Sequence, residues 1–158
     1  MSPDMCVPCG DGLINIRVGA IIMKDGRLLM VRSAHGYLYS VGGRVQFGET
    51  ARQAVIREVF EETGVRLEAK RLAFVHEAYF YGDAPSNLGK PIFELCFYWL
   101  MDVPAGFEPL NTAVTDGTAP EALCWVSLDT TEKLYPAFFR TELPRLSGEV
   151  KFFSTDER

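Results

Sequence analysis

The sequence predicts a single mixed α/β domain, on three observations. Its 158 residues suit one compact unit with a sizeable core. Short apolar runs rich in branched and aromatic residues recur between turn signals, as strands do. One segment in the first half carries both the start and the stop marks of a helix. No repeat, low-complexity tract or long linker divides the chain, so the layers surround one core.

Residues 14–23, INIRVGAIIM, read as a strand. Lys24-Asp25-Gly26 is a turn signal, and RLLMVR at 27–32 is its hairpin partner. A short strand over 37–41 runs into Gly42-Gly43. The segment 50–63 reads as a helix. Thr50 followed by Gln53 is a capping-box pattern that satisfies free amides, and Gly64 suits the left-handed residue just past the end.

RLAFVHEAYF (71–80) and FELCFYWLMDV (93–103) read as two further strands. The loop between them, YGDAPSNLGKP, is rich in turn residues and free to move over a ligand. An irregular stretch over 104–120 leads to a strand at 122–128, ALCWVSL. Pro136 opens a last helix, PAFFRTELPRL, which Pro144 interrupts or ends. No element is assigned to the tail SGEVKFFSTDER. The domain is expected over 14–146, between an N-terminal extension, 1–13, and a C-terminal tail, 147–158.

A net charge of −5 argues against a surface that tracks polymeric nucleic acid, which needs a basic stripe. A small phosphate-bearing ligand is still allowed, because a bound metal ion can supply the positive charge. No apolar run reaches membrane-spanning length, and MSPDMCVPCGDG lacks the order of a signal peptide, so no membrane and a reducing cytoplasm are expected. Cys96 and Cys124 fall inside apolar runs and read as small core residues. Cys6 and Cys9 form a lone C-x-x-C, half of a zinc site, and the only histidines are His35 and His76.

The helix ends on REVFEETG, with three carboxylates in five residues at the end where the helix dipole is already negative. At about 100° per residue, Glu61 lies about 60° to one side of Glu58 and Glu62 about 40° to the other. All three share a face that Ala51, Ala54 and Val55 continue toward the N-terminus, while Ile56 and Phe60 point nearly the opposite way. This pattern predicts a helix sandwiched between layers, with the glutamates opening into a cleft. Neighbours on a helix face are roughly 5–6 Å apart, where two like charges at an effective dielectric near 20 repel by about 3 kcal/mol. Arg57 offsets part of this but cannot neutralise three anions. A divalent ion held by hard carboxylate oxygens, magnesium or manganese, resolves the conflict. A solvated acidic helix end with Arg57 as its partner is the plainer alternative.

The flanking residues decide between the two. Gly43-x5-Glu49-x7-Arg57-Glu58-Val59-x-Glu61-Glu62-x-Gly64-Val65 resembles the signature box of the Nudix hydrolases at every defined position. The resemblance covers 14–146 and is specific in the box. It implies a Nudix-type α/β/α sandwich with a mixed β-sheet and a loop–helix–loop catalytic box. It further implies a metal-dependent hydrolase that cleaves a diphosphate linkage in a nucleoside diphosphate joined to another moiety.

Carried over, Glu58, Glu61, Glu62 and the Gly43 carbonyl would ligate the metal, and Arg57 with Glu49 would support them. Glu121, four residues before Trp125, is a candidate base from outside the box or else an exposed acid; Glu77 and Glu94 are further candidates. Val41 stands where many relatives have proline before the glycine pair. Arg44 reads as a phosphate contact or an exposed cation, and Arg17 as a phosphate contact or a cross-sheet partner of an acid. Tyr79, Phe80 and Tyr81 offer stacking surfaces for a base or belong to the core.

The ADP-ribose branch often carries a proline at a set distance after the box. Here that region reads Phe80-Tyr81-Gly82, which weakens ADP-ribose against nucleoside triphosphates, nucleotide sugars and dinucleoside polyphosphates. Two competing readings are a catalytically silent Nudix-like domain that binds a nucleotide and regulates, and a structural domain whose acids bind a cation for stability. The silent form would be expected to lack a box glutamate, and none is missing. Members of the family are often homodimers.

Overall fold

The computed structural model describes residues 2–110, 113–115 and 120–158. Its first half contains β1 (Cys6–Cys9), β2 (Gly12–Ile21), β3 (Met23–Lys24), β4 (Arg27–Arg32), β5 (Leu38–Arg44) and α1 (Ala51–Thr63). Then come β6 (Glu68–Tyr81), β7 (Pro91–Asp102), β8 (Ala113–Thr115), β9 (Pro120–Ser127) and β10 (Leu134–Tyr135). The chain closes with α2 (Phe139–Glu142), a 3-10 turn over Leu143–Arg145, and β11 (Lys151–Asp156).

The strands join in the order β11-β6-β7-β2-β5-β4-β9-β8, with β1 beside β2, β3 beside β4 and β10 beside β5. The sheet is mixed. β2 runs parallel to β7 and antiparallel to β5, and the β6–β7 and β4–β9 pairs are antiparallel.

Apolar side chains load both faces of the sheet, because alternate residues of a strand point opposite ways. From β2, Val18 and Ala20 join Ile22, with Leu29 and Val31 of β4, in a cluster beneath Ala54, Val55 and Val59 of α1. Ile21 and, from β4, Leu28 and Met30 face the other way, into a cluster with Phe74, Phe139 and Leu143. One helix lies over each face, as in the expected α/β/α sandwich. Burial on both faces explains why RLLMVR is an unbroken apolar run rather than an alternating one.

The caps of α1 form as the sequence predicts. Thr50 and Gln53 satisfy each other's backbone amides, and Gly64 is left-handed at φ 75°, donating to the Phe60 carbonyl. The expectation that α1 is apolar on two sides needs correction. Ala54, Val55, Val59 and Thr63 are buried and Ile56 packs partly buried against the same cluster, whereas Phe60 is 54% exposed, so the side opposite Glu58 is covered only in part.

The last helix is also shorter than expected. Pro136 lies in the preceding turn, α2 begins at Phe139, and Pro144 sits in the 3-10 turn that follows. The tail left without an element forms β11, parallel to β6. In the stretch expected to be irregular, β8 pairs with β9, while 111–112 and 116–119 lie outside the described residues. Cys6–Cys9 of the expected N-terminal extension pairs with β2 as β1. Among the described residues no helix is long and apolar enough to cross a membrane.

Replacing the N-cap, Thr50→Ala, strands an amide of α1. It is expected to lower stability by about 1 kcal/mol and the thermal midpoint by about 2–4 °C, read by circular dichroism.

Candidate functional site

Strand register assembles the floor of the site. Across the β2–β5 pair, Arg17 lies opposite Arg44, Val18 opposite Gly43 and Gly19 opposite Gly42. β5 continues through the glycine pair instead of ending before it. Both glycines are needed for room. A Cβ on Gly42 would lie 2.1 Å from the Val18 carbonyl oxygen, and one on Gly43 would lie 2.3 Å from the Glu58 carboxyl carbon. Val41, directly before the glycine pair, is fully buried.

Arg57 organises the carboxylates. Its Nη2 and Nε donate to Glu49 Oε1 and Oε2 at 2.6 and 3.0 Å, the two-point grip in which arginine is strongest. Nη2 also donates to the Arg44 carbonyl at 3.0 Å. Nη1 donates to Glu58 Oε1 at 2.8 Å and Glu61 Oε2 at 3.3 Å. Glu49 Oε1 in turn accepts from the Gln46 amide at 2.8 Å, tying the loop before α1 to the same guanidinium. Hydrogen bonding from Arg57 lowers the Glu49 pKa, and hydrogen bonding to Glu49 raises that of Arg57.

Glu58 and Glu62 behave otherwise. Burial raises the Glu58 pKa even though Arg57 touches it, because one shared cation does not repay the lost water. Glu62 is pushed up to about 8, by burial first and then by the Glu58 charge, with Glu121 adding repulsion and the Gly42 backbone and Arg17 opposing. Glu62 Oε2 is buried and has no hydrogen-bond partner among the described residues. Glu61 is 53% exposed.

These features fit a divalent cation. A buried carboxylate oxygen lacks a partner, the donors are hard oxygens, and the missing side chain of Gly43 lets the Glu58 carboxylate come close against β5. Among the described residues no three acidic, histidine or cysteine side chains already converge as a ligand set. The Arg57 guanidinium occupies the place between Glu58 and Glu61 instead.

The other predicted residues divide. Glu121 is brought to the cluster, within reach of the Glu62 charge, and accepts a hydrogen bond from the Tyr39 hydroxyl. Arg17 lies close enough to act on the charges of both Glu58 and Glu62. Its Nε is 3.5 Å from Glu94 Oε1, the cross-sheet acid that was one of its two expected roles. Arg44 donates to Asn15.

Glu77 accepts from Ser154 on β11, outside this network. Tyr79 packs on Phe93 and has the Arg158 guanidinium 4.1 Å over its ring, while Tyr81 is exposed; no described contact ties either to the glutamates. Cys96 is a buried core thiol, its pKa pushed up to about 12 by burial, and Cys6 and Cys9 lie on β1. Sequence reasoning passed over Asn15 and Tyr39. The signal was the period of two along INIRV, which places Asn15 on the same face as Arg17.

The NUDIX domain model matches residues 14–145. A MutT-like protein of Streptomyces ambofaciens is 40% identical over 60 residues, covering 37% of this chain and 39% of that protein. An ADP-ribose pyrophosphatase of Methanocaldococcus jannaschii is 36% identical over 67 residues, 40% of each chain. The chain thus matches about two fifths of the length of these curated relatives. The crystal structure of a MutT NUDIX hydrolase from Burkholderia pseudomallei is 32% identical with a TM-score of 0.54, covering 73% of this chain and 84% of that one. An ADP-ribose pyrophosphatase structure from Streptococcus suis, 21% identical with a TM-score of 0.56 over 87% and 98% of the two chains, shares the fold.

The Glu62 shift makes stability depend on pH when no cation is bound. A carboxyl whose folded pKa of about 8 exceeds its ordinary 4.5 binds its proton more tightly when folded. Its contribution is therefore complete below about pH 4.5 and lost as pH rises through about 8. In chelator, the thermal midpoint should fall between about pH 5 and pH 8. Glu62→Gln, neutral throughout, should flatten that fall; a parent midpoint that rises over this range contradicts the assignment.

Proposed function

Because the chain belongs to the NUDIX family, we propose that it hydrolyses a diphosphate linkage in a nucleoside diphosphate joined to another moiety, with magnesium or manganese. One observation carries this reading: the buried, unpartnered Glu62 Oε2 near the charge of Glu58, whose own carboxylate Gly43 admits against β5. A merely structural acidic helix end would leave its carboxylates in water or fully paired.

Glu58, Glu61 and Glu62, with the Gly43 carbonyl, would hold the cation. When bound, such an ion draws charge from the diphosphate oxygens and acidifies a water molecule. The chain's own groups supply the rest. Glu49 holds Arg57 by two hydrogen bonds, so Arg57 can steady Glu58 without leaving its place. Arg17 and Arg44 offer guanidinium donors to phosphate oxygens. Glu121, fixed by the Tyr39 hydroxyl, takes the proton as water attacks phosphorus and the bridging P–O bond breaks. Positioning and charge account for most of the acceleration in such a reaction. The name of one relative adds ADP-ribose to the substrates to try first.

The test is product analysis with magnesium or manganese across nucleoside triphosphates, dinucleoside polyphosphates, nucleotide sugars and ADP-ribose. Turnover is expected with at least one of these, abolished by chelator and lowered by orders of magnitude in Glu62→Gln. Full activity in chelator, or in that variant, contradicts the reading. Glu49→Gln frees Arg57 to compete for Glu58 and Glu61. It is expected to weaken manganese binding about 10–100-fold, by calorimetric titration, with the fold intact.

A further inference from the structure

Asn15 is only 6% exposed, yet it shares a face of β2 with Arg17. Both ends of its amide are engaged. Nδ2 donates to Glu94 Oε1 at 3.0 Å, directly across the parallel β2–β7 pair. Oδ1 accepts from Arg44 Nε at 3.0 Å, across toward β5. The same Glu94 oxygen lies 3.5 Å from Arg17 Nε. A line of polar contacts, Arg44–Asn15–Glu94–Arg17, therefore runs over three adjacent strands.

The two arginines are register partners on β2 and β5. Like charges directly opposite each other destabilise a sheet, so this pairing needs a reason. The terminal nitrogens of both remain available: among the described residues neither arginine makes a hydrogen bond through them, and Arg44 Nη1 has only Asp4 at 3.8 Å. Arg17 also lies within reach of the Glu58 and Glu62 charges. Register thus sets two arginines on one face of adjacent strands, with terminal nitrogens that make no hydrogen bond among the described residues. With Arg17 within reach of the carboxylate cluster, the arrangement suits the oxygens of a diphosphate.

A neutral amide suits the position between them. An aspartate there would hold Arg44 equally well but would cancel its charge and repel Glu94. An aliphatic residue would leave Arg44 Nε without its acceptor and Glu94 without its donor. Asparagine fixes the direction of one arginine, and through Glu94 that of the other, without adding a further negative charge beside the Arg17–Glu94 and Arg44–Asp4 pairs.

We propose that Asn15 is a positioning residue, which holds Arg44 directly and Arg17 through Glu94 as a two-arginine clamp on the substrate's diphosphate. The inference rests on the diphosphate-hydrolase reading and extends it to a residue outside the signature box.

The test compares the parent with Asn15→Leu, Asn15→Asp and the double variant Asn15→Asp/Glu94→Gln. Binding of inorganic pyrophosphate with magnesium is measured by calorimetry, and kcat and KM on the best substrate of the panel. Both single variants should bind pyrophosphate about tenfold more weakly and raise KM by a similar factor, with kcat within about twofold of the parent. In the double variant, the amide that replaces the Glu94 carboxylate can donate to the carboxylate that replaces the Asn15 amide. The number of carboxylates also returns to that of the parent, so most of the loss should be recovered. Should Asn15→Leu fail to fold, the aspartate variant and its rescue carry the comparison. Parent-like pyrophosphate affinity and KM in the single variants overturn the role of Asn15, as does a fall in kcat at unchanged KM. A parent that neither binds pyrophosphate nor turns over any substrate instead overturns the diphosphate reading, and this inference with it.

Discussion

Two carboxylates pressed against a sheet set the terms for the rest of this molecule. Glu58 and Glu62 leave water as α1 packs down on β2 and β5, and burial raises the pKa of both. Removing charge from water is expensive unless a partner restores the balance. Among the described residues Arg57 is the one guanidinium in direct contact with Glu58, and it is shared with Glu49 and Glu61. Positive charge is therefore scarce where negative charge is buried, and Glu62 Oε2 has nothing to bind among the described residues. A divalent cation would supply what is missing. The interaction between carboxylates and cation would then serve folding and chemistry together, since the groups that destabilise the cation-free protein are those that would hold the ion.

The architecture follows from placing that cluster accurately. A sheet buried on both faces is rigid, and its register sets the glycine pair opposite Val18 and Gly19, where backbone and carboxylate approach too closely for a side chain. The caps on α1 fix where the helix begins and ends, and so where its last turn of acids falls. Glu49 enters from the loop before α1 and binds the same arginine that touches Glu58 and Glu61, so loop and helix are locked as one unit. On the sheet, Arg17, Arg44, Asn15 and Glu94 form a polar line across three adjacent strands. On the reading proposed above, the acids would take a cation and the arginines the diphosphate.

Much of this was legible in the sequence because the signals are local. Thr50, Gln53 and Gly64 mark the helix by hydrogen bonds made within a few residues, and the spacing of the acids follows from helical period alone. What stayed hidden depends on partners distant along the chain. Phe60 looked like a second apolar face, but whether anything covers it is a question of tertiary layering. KFFSTD gains its strand identity only by pairing with β6. Tyr79 resembled a stacking platform, yet its ring face is taken by Arg158, far along the chain. Asn15 became meaningful only once β5 and β7 were known to flank β2. The box could be found by pattern, while the surrounding polar network required the register.

Diffraction from crystals grown with manganese, measured at its absorption edge, tests the central claim most directly. An anomalous peak is expected beside the carboxylates of Glu58, Glu61 and Glu62 and the Gly43 carbonyl, with Arg57 withdrawn from Glu61 but still gripping Glu49. No peak at that position, with Arg57 still bridging Glu58 and Glu61 at saturating manganese, would contradict it.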